Sequence, residues 1–229
     1  MKSAHNNTHT RRDFLRNMAF SGVGITGLCA FFQSCAEKGI PLSTGLAEAY
    51  IKGLLEIMEK IRKEELSNIT LAANLAVQAR LRGFQLYAYI TGGMFPYETE
   101  DSRPGSPHIF LTDNVQSVSK NDVFITNDPE TARGLGERNV HVIGITPPTS
   151  PNLKTPPGVF ENMGALLIED VSDIVIYTHV PYADGILNVE GLEIPICPAS
   201  GVIQSLIYYA LAAEIVEGLT KSGIYPQIG

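Results

Sequence analysis

A chain of 229 residues is long enough for one α/β domain with a sizeable core, and its 44% hydrophobic and 18% charged residues are ordinary for a globular protein. The net charge is -7, and from residue 36 onward 13 basic residues stand against 23 acidic ones, which argues against nucleic acid or an anionic membrane surface as a partner of this part. Two of the three cysteines precede residue 36, so a disulfide framework is excluded.

The first 35 residues have the pattern of an export signal. Basic residues precede an apolar run of 15 residues, Met18 to Phe32, which is short for a membrane span of ~20 residues. Within the basic part, Thr10 to Arg16 resembles the twin-arginine export motif, which a dedicated translocon reads. We therefore predict an export signal over residues 1–35, a single domain over residues 36–229, and a periplasmic or membrane-anchored protein.

Cys35 follows the apolar run and resembles the cysteine of a loose lipobox. Three outcomes are open: lipidation of Cys35, simple cleavage, or an uncleaved anchor. Lipidation would hold the protein on a membrane surface without a spanning helix.

Apolar residues at helical spacing predict two helices at the start of the domain and one at its end. Between Leu46 and Ile61 they recur at steps of four, four, three and four, and Ser43–Thr44 can cap this helix. A second helix is predicted over Ser67–Arg82, where Gly83 ends it. The last is predicted over about Ser200–Lys221, which is rich in apolar residues.

Five short apolar runs between these helices predict strands. Most are continuously apolar rather than alternating, which suits strands covered on both faces. With helical or irregular connectors between them, they predict an α/β fold with a parallel sheet between helical layers, a three-layer α/β/α sandwich. The runs are Phe84–Ile90, His108–Leu111, Val123–Thr126, Val140–Ile145 and Ile174–Val180.

The last 60 residues carry the most specific pattern. It consists of His179-Val180-Pro181-Tyr182-Ala183-Asp184, Gly191-Leu192, Cys197-Pro198-Ala199-Ser200-Gly201 and Gly223-Ile224-Tyr225-Pro226. This segment resembles the sugar isomerase (SIS) domain family, in the branch where a strand ends in Asn-Cys-Val-Pro-Tyr-Gly-Asp and Gly-Pro-Val-Ser-Thr opens a long helix. The resemblance covers about residues 45–229 and is weak in the middle.

The SIS resemblance implies a fold, a ligand and a partner. The fold is a five-stranded parallel sheet of flavodoxin-like type between helical layers, preceded by two helices. The ligand is a phosphosugar at the carboxyl ends of the strands, and the partner is a second copy in a homodimer. Fold alone does not choose among the isomerases, etherases and sensors of such a family.

Three places in the chain match parts of the family's phosphosugar pocket, and each departs from the family pattern. After the first strand, Thr91, Gly92 and Gly93 keep a turn that a backbone can use to approach a ligand, but the family's Ser and His residues are gone. A plain turn is the alternative. At the start of the last helix, Ser200 matches the family serine, as a ligand-facing hydroxyl or as an N-cap.

The third place is the stretch "VFITNDPET", which contains the third run and the corner that follows it. Thr126 and Asn127 keep the polar donors of the family phosphate loop, whereas Asp128 and Pro129 replace its second serine and its glycine. This exchanges a neutral donor for a negative charge and removes a backbone N–H. Alternatively, Asp128 is the N-cap of a helix with Pro129 at its first position.

Isomerases need a base that moves a proton between neighbouring carbons. His179 ends a strand beside Tyr182 and Asp184, so we predict His179 and Asp184 as catalytic candidates and Tyr182 as a ligand contact. A strand-end histidine without a catalytic task, and an aspartate that only orients a loop, are the alternatives. The five histidines show no metal-ligand spacing, and neither a metal nor another cofactor is predicted.

These features together predict an exported SIS-like domain that binds a sugar or phosphosugar derivative through a degenerate phosphate loop. One alternative is an active sugar-phosphate isomerase of aldose–ketose type. The other is a structural or sensor protein whose domain dimerises.

Overall fold

Two helices open the part of the chain that the structure, a computed structural model, describes. Helix α1 spans Gly45–Glu64 and helix α2 spans Leu66–Leu81, close to the predicted bounds. Gly83 ends the second helix with φ of +86°, a conformation that glycine adopts without strain. The described residues are 45–90, 104–111, 115–148, 166–181 and 183–228.

Four parallel strands form the main sheet in the order β1-β2-β3-β4. Their register pairs Leu86 with Val123, Val123 with His141, and Ile143 with Ile174. The prediction of an α/β fold with a parallel sheet is confirmed. The strands are β1 (Leu86–Tyr89), β2 (Val123–Thr126), β3 (His141–Thr146) and β4 (Ile174–Tyr177).

The prediction of five strands is wrong, because the run His108–Leu111 does not form a strand. Its N-terminal half pairs elsewhere: the His108 N–H donates to the Gln227 carbonyl at 2.9 Å, and the Ile109 N–H turns back to the Pro107 carbonyl. Only Leu111 stays in register with the sheet, as a single parallel bridge on the outer edge of β1. Among the described residues, the fifth strand is therefore reduced to one residue pair.

Successive residues of the central strands pack into two different cores. Leu86, Val123 and Ile143 belong to the larger core, whereas the residues that follow two of them, Tyr87 and Phe124, belong to the smaller one. Both faces of the sheet are covered, so the apolar runs are continuous.

Helices form the layer on each side of the sheet. On one side, α2 packs against the long last helix, α5 (Ser200–Lys221). On the other side lie α3 (Pro129–Glu137) and the short α4 (Ile168–Val171). Helix α5 is long and apolar enough to cross a membrane by length and composition, but its buried residues pack against α2 and the sheet, as in the core helix of a globular domain.

A small antiparallel hairpin connects β4 to α5, and the sequence patterns did not predict it. Strands β5 (Gly185–Leu187) and β6 (Ile196–Pro198) pair with Gly185 opposite Pro198. A Cβ at Gly185 would meet the Pro195 carbonyl oxygen at 2.3 Å, so this position requires glycine. Tyr50 of α1 donates its hydroxyl to the Pro198 carbonyl at 2.8 Å, which joins the hairpin to the first helix.

The chain order reverses at β1. Leu111, which follows β1 in the sequence, lies on one side of it, and β2 lies on the other. In open α/β sheets, ligands bind outside the carboxyl ends of the strands at such a reversal. The corner after β2 is thus at the place where this architecture favours a ligand site.

Candidate functional site at the carboxyl edge of the sheet

The corner after β2 is built by hydrogen bonds among its own residues. Thr126 is fully buried, and its hydroxyl accepts the Asp128 N–H at 3.1 Å. The Asp128 carboxylate accepts the Thr131 N–H at 3.0 Å and also the Thr131 hydroxyl. Pro129 is the first residue of α3. Asp128 is therefore the N-cap of α3, which is the structural alternative of the two roles predicted for it.

A second aspartate occupies the start of α5. One carboxylate oxygen of Asp184 accepts the N–H groups of Ala199 and Ser200, at 3.0 and 2.7 Å. Its other oxygen accepts the Ser200 hydroxyl at 2.7 Å. Two of the backbone donors at this helix start are thus already bonded to a carboxylate of the same chain.

The hairpin brings Asp184 to this position. The ladder of β5 and β6 continues one residue further, where the Ala199 N–H donates to the Asp184 carbonyl at 3.0 Å. Asp184 has φ of +62°, in the left-handed region that aspartate tolerates better than most residues. Asp184 and Ser200 are thus neighbours in space.

His179 follows β4 and pairs with a buried glutamate from the junction of α1 and α2. Its Nε2 lies 3.0 Å from Glu65 Oε1, and the two side chains are 6% and 4% exposed. The other Glu65 oxygen accepts the Tyr177 N–H at 3.2 Å and the Asn68 amide at 3.0 Å. A buried carboxylate is costly unless it is paired and hydrogen-bonded, and Glu65 has three partners.

Two further groups complete the surroundings of the His179 ring. Glu64 Oε2, on a half-exposed side chain, lies 3.8 Å from His179 Nε2. The Tyr177 ring centroid lies 6.3 Å from that of His179. Burial, together with the carboxylates of Glu169 and Glu65, raises the pKa of Tyr177. The phenol therefore stays protonated and neutral at physiological pH.

The structure brings four of the predicted site residues together as two pairs. It places a fifth, His179, beside a residue that was not predicted. Thr126 and Asp128 form one group, Asp184 and Ser200 the other, and His179 pairs with Glu65. Asn127 lies between Thr126 and Asp128 and is half-buried. The remaining predicted contacts, Thr91, Gly92, Gly93 and Tyr182, lie outside the described residues, as does the export leader.

No sequence pattern predicted Glu65. Its only local signal is an acidic pair, Glu64–Glu65, at the break between two helical patterns. Such a pair is typical of a solvated helix end, and only the fold shows that the second residue is buried against β4.

Metal ligands do not cluster in the part of the chain that the structure describes. There, no group of three or more His, Cys, Asp or Glu residues could hold a metal ion. A cavity of about 300 Å³ lies at the opposite, amino edge of the sheet, where His141 and Asp173 line it.

The chain is similar to curated proteins named UPF0309. It is 32% identical over 101 residues to one from Caldanaerobacter subterraneus subsp. tengcongensis, a match of 43% of this chain and 39% of that protein. It is 28% identical over 126 residues to one from Streptomyces griseus subsp. griseus, a match of 55% of this chain and 47% of that protein. The chain thus spans less than half the length of these relatives. No protein-family model matches it.

The chain is also structurally similar to phosphoheptose isomerase GmhA from Neisseria gonorrhoeae. The two agree with a TM-score of 0.46 and 14% sequence identity, over 77% of this chain and 98% of that one.

Proposed function

We propose that this protein binds a sugar or sugar derivative at the carboxyl edge of its sheet. The corner after β2 carries the proposal, because Thr126 and Asn127 keep the polar pair of the SIS phosphate loop and lie where the chain order reverses. The resemblance of the last 60 residues to the SIS family supports a carbohydrate ligand.

We propose further that the site disfavours a phosphate. Asp128 and Asp184 already place a carboxylate at the starts of α3 and α5. Two unit charges ~4 Å apart repel by about 4 kcal/mol at an effective dielectric constant near 20. A neutral sugar avoids this repulsion and can donate its hydroxyl groups to the same carboxylates.

Calorimetric titration tests both statements. The probes are glucose, glucosamine and N-acetylglucosamine, each compared with its 6-phosphate. We expect the unphosphorylated sugars to bind more tightly. Asp128→Ser keeps an N-capping side chain and removes the charge, so it should tighten binding of the 6-phosphates by roughly tenfold or more and leave neutral sugars unchanged.

Glu130→Gln is the matched control for that variant. Glu130 is exposed in the same first turn of α3 and pairs with Arg133, so its loss changes the net charge equally without altering the cap. Equal gains for Asp128→Ser and Glu130→Gln would mean that Asp128 only caps its helix. If no probe binds, the sugar proposal is wrong, and a tight dimer without sugar binding would favour the structural alternative.

A second candidate function, aldose–ketose isomerisation, is favoured by the buried pair of His179 and Glu65 at the end of β4. In that reaction one proton moves from C2 to C1 and one from the C2 hydroxyl to the C1 oxygen, so no other reactant is needed. A histidine base of this kind contributes about 10²–10⁴-fold to the rate.

Exchange of the substrate C2 proton in D₂O, followed by NMR, tests this candidate with the same six sugars. We expect exchange with the wild-type protein and a loss of about 100-fold or more in His179→Gln. His141→Gln is the control, because His141 lies at the amino edge of the sheet. Absence of exchange in the wild-type protein would refute the isomerase candidate.

We propose that the protein is a homodimer that uses an apolar groove between α1, α2 and α5. The groove has a volume of about 360 Å³ and includes Leu55 and Leu66, which are 58% and 49% exposed. Glu59 and Arg62 also line it, and they pair with each other within the chain at 2.7 Å. Sedimentation should show that Leu55→Glu dissociates a dimer and that the exposed Leu192→Glu in the hairpin loop does not; a monomeric wild-type protein would contradict this.

We propose that the protein leaves the cytoplasm through the twin-arginine route and is tethered by lipid on Cys35. The support is the residue pattern of the leader. Replacing both Arg11 and Arg12 by Lys should retain the precursor in the cytoplasm, and Cys35→Ala should abolish incorporation of labelled fatty acid. Undiminished export of the double variant would refute the route.

A further inference from the structure

The pair of His179 and Glu65 contains one atom that the fold buries without a partner. His179 Nδ1 is inaccessible to solvent, and the described part of the chain offers it no hydrogen bond. The other ring nitrogen, Nε2, lies 3.0 Å from Glu65 Oε1. Buried polar atoms in native proteins are nearly always satisfied, so an exception of this kind requires an explanation.

Both carboxylate oxygens of Glu65 have polar partners among the described residues. The Tyr177 N–H and the Asn68 amide both donate to Oε2, which is the arrangement of an ionised, acceptor-only carboxylate. The remaining contact, from Oε1 to His179 Nε2, then needs a proton on the ring. Imidazole is also a stronger base than a carboxylate, so a proton shared between the two belongs on Nε2.

We propose that Glu65 holds His179 in the tautomer that is protonated on Nε2, so that its buried Nδ1 is a proton acceptor at the carboxyl end of β4. Glu65 is then a positioning residue, which acts on a bound molecule only through His179. A carboxylate that orients an imidazole in this way leaves the opposite nitrogen free to act as a base.

The proton transfer is balanced within the ring and the bound molecule. The Nδ1 lone pair takes a proton from the ligand, and the bonding electron pair stays on the ligand. The ring becomes a cation, which Glu65 and, from 3.8 Å, Glu64 stabilise. Return of the proton restores the neutral ring, so no oxidant, reductant or other reactant takes part.

The backbone at His179 supports a built site. Its φ of +53° lies in the left-handed region, which is uncommon outside glycine but which histidine adopts more readily than most residues. The residue before it, Thr178, is buried, and its hydroxyl accepts the Val180 N–H at 3.3 Å. This hydrogen bond joins the residues before and after His179 and stabilises the turn that carries its ring.

The use of Nδ1 toward a sugar rests on the proposed function, whereas the tautomer does not. The two are tested separately, because the tautomer is measured on the protein without ligand. A wrong tautomer leaves the sugar titrations unaffected, and a failed sugar titration leaves the tautomer as measured.

The experiment is two-bond ¹H–¹⁵N correlation NMR of the full chain labelled with ¹⁵N-histidine, at neutral pH. His179→Gln identifies the His179 signals by their loss. We expect an unprotonated Nδ1 and a protonated Nε2 in the wild-type spectrum. Glu65→Gln should replace this single pattern by a mixture of tautomers, because an amide can either donate to Nε2 or accept from it.

Glu64→Gln is the matched control. Glu64 is the preceding residue, carries the same charge and lies near the same nitrogen, but it is half-exposed. We expect its spectrum to match the wild-type spectrum. The signals of His108 and His141 report whether each variant is folded.

The proposal is overturned if wild-type Nδ1 carries the proton, if Glu65→Gln keeps the wild-type pattern, or if Glu64→Gln disturbs it equally. Should Glu65→Gln fail to fold, the wild-type protein decides alone. A slowly exchanging Nε2–H with cross-relaxation to the Glu65 side chain supports the proposal, and a rapidly exchanging one without it contradicts it.

Discussion

Helices α3 and α5 both start with a carboxylate on their first N–H groups, but the two carboxylates come from different distances along the chain. Asp128 directly precedes α3 and bonds to Thr131 in the first turn. Asp184 precedes Ser200 by 16 residues and reaches α5 through the hairpin of β5 and β6. The first cap depends only on local sequence, whereas the second also joins two elements of tertiary structure.

This difference predicts that Asp184→Ala is the most damaging substitution at the edge of the sheet. It leaves the Ser200 N–H and hydroxyl without their acceptor, whereas the Ala199 N–H keeps the backbone carbonyl of residue 184. It also places alanine at φ of +62°. We expect the free energy of unfolding to fall by about 2–4 kcal/mol, measured by denaturant titration with circular dichroism.

Asp184→Asn is the control for this prediction. Asparagine tolerates the left-handed conformation and keeps one acceptor oxygen, so about half of the loss should remain. If Asp184→Ala costs no more than removal of the local cap at Asp128, the remote cap does not join the hairpin to the helix.

A smaller effect is predicted for Asp128→Ala. It removes an N-cap whose partners all lie in its own helix turn, and the expected loss in free energy of unfolding is about 1 kcal/mol. Asp128→Ser should restore most of it in the same denaturant titration. A loss as large as that of Asp184→Ala would show that the corner after β2 supports more than α3.

Ser200→Ala should be milder still. It removes one hydroxyl donor from Asp184 and leaves both backbone N–H donors in place. We expect a loss of about 0.5–1 kcal/mol in the free energy of unfolding. In the double variant with Asp184→Ala, the Ser200 effect should disappear, and simple additivity would contradict the hydrogen bond between them.

The same contrast between local and remote signals explains how much of the fold the sequence could predict. Helix α5 and strand β2 have the predicted bounds because apolar periodicity and continuous apolar runs are local. The run at His108 failed because its first backbone donor pairs with the Gln227 carbonyl, more than 100 residues away. The hairpin was missed, although Gly191 with φ of +86° marks its turn between two short apolar stretches.

The residues of the candidate site also differ in whether local sequence could predict their roles. Asp128 was predictable as a cap because Asp-Pro before a polar helix start is a local pattern. Glu65 was not predictable, because its burial depends on how the end of α1 meets β4. Asp184 and Ser200 were predicted as separate candidates, and their contact depends on the register of the hairpin, which the sequence did not predict.

Glu59, an exposed carboxylate that caps no helix, gives the smallest predicted loss of stability and can be compared with the two capping aspartates. Arg62 and Lys63 lower the pKa of Glu59 on α1 to about 2 from the usual 4.5. Because the folded pKa is depressed, Glu59 stabilises the protein above about pH 4.5, and this contribution is lost as the pH falls through about 2. The side chains are open to solvent, so water and salt screen their attraction. We therefore expect Glu59→Gln to lower the melting temperature at pH 7 by less than Ser200→Ala does, and the difference from wild type to vanish near pH 2 and at high salt. A difference that persisted at pH 2 would mean that Glu59 stabilises the protein through packing rather than charge. Glu59 could then no longer represent an exposed carboxylate in the comparison with the helix-capping ones.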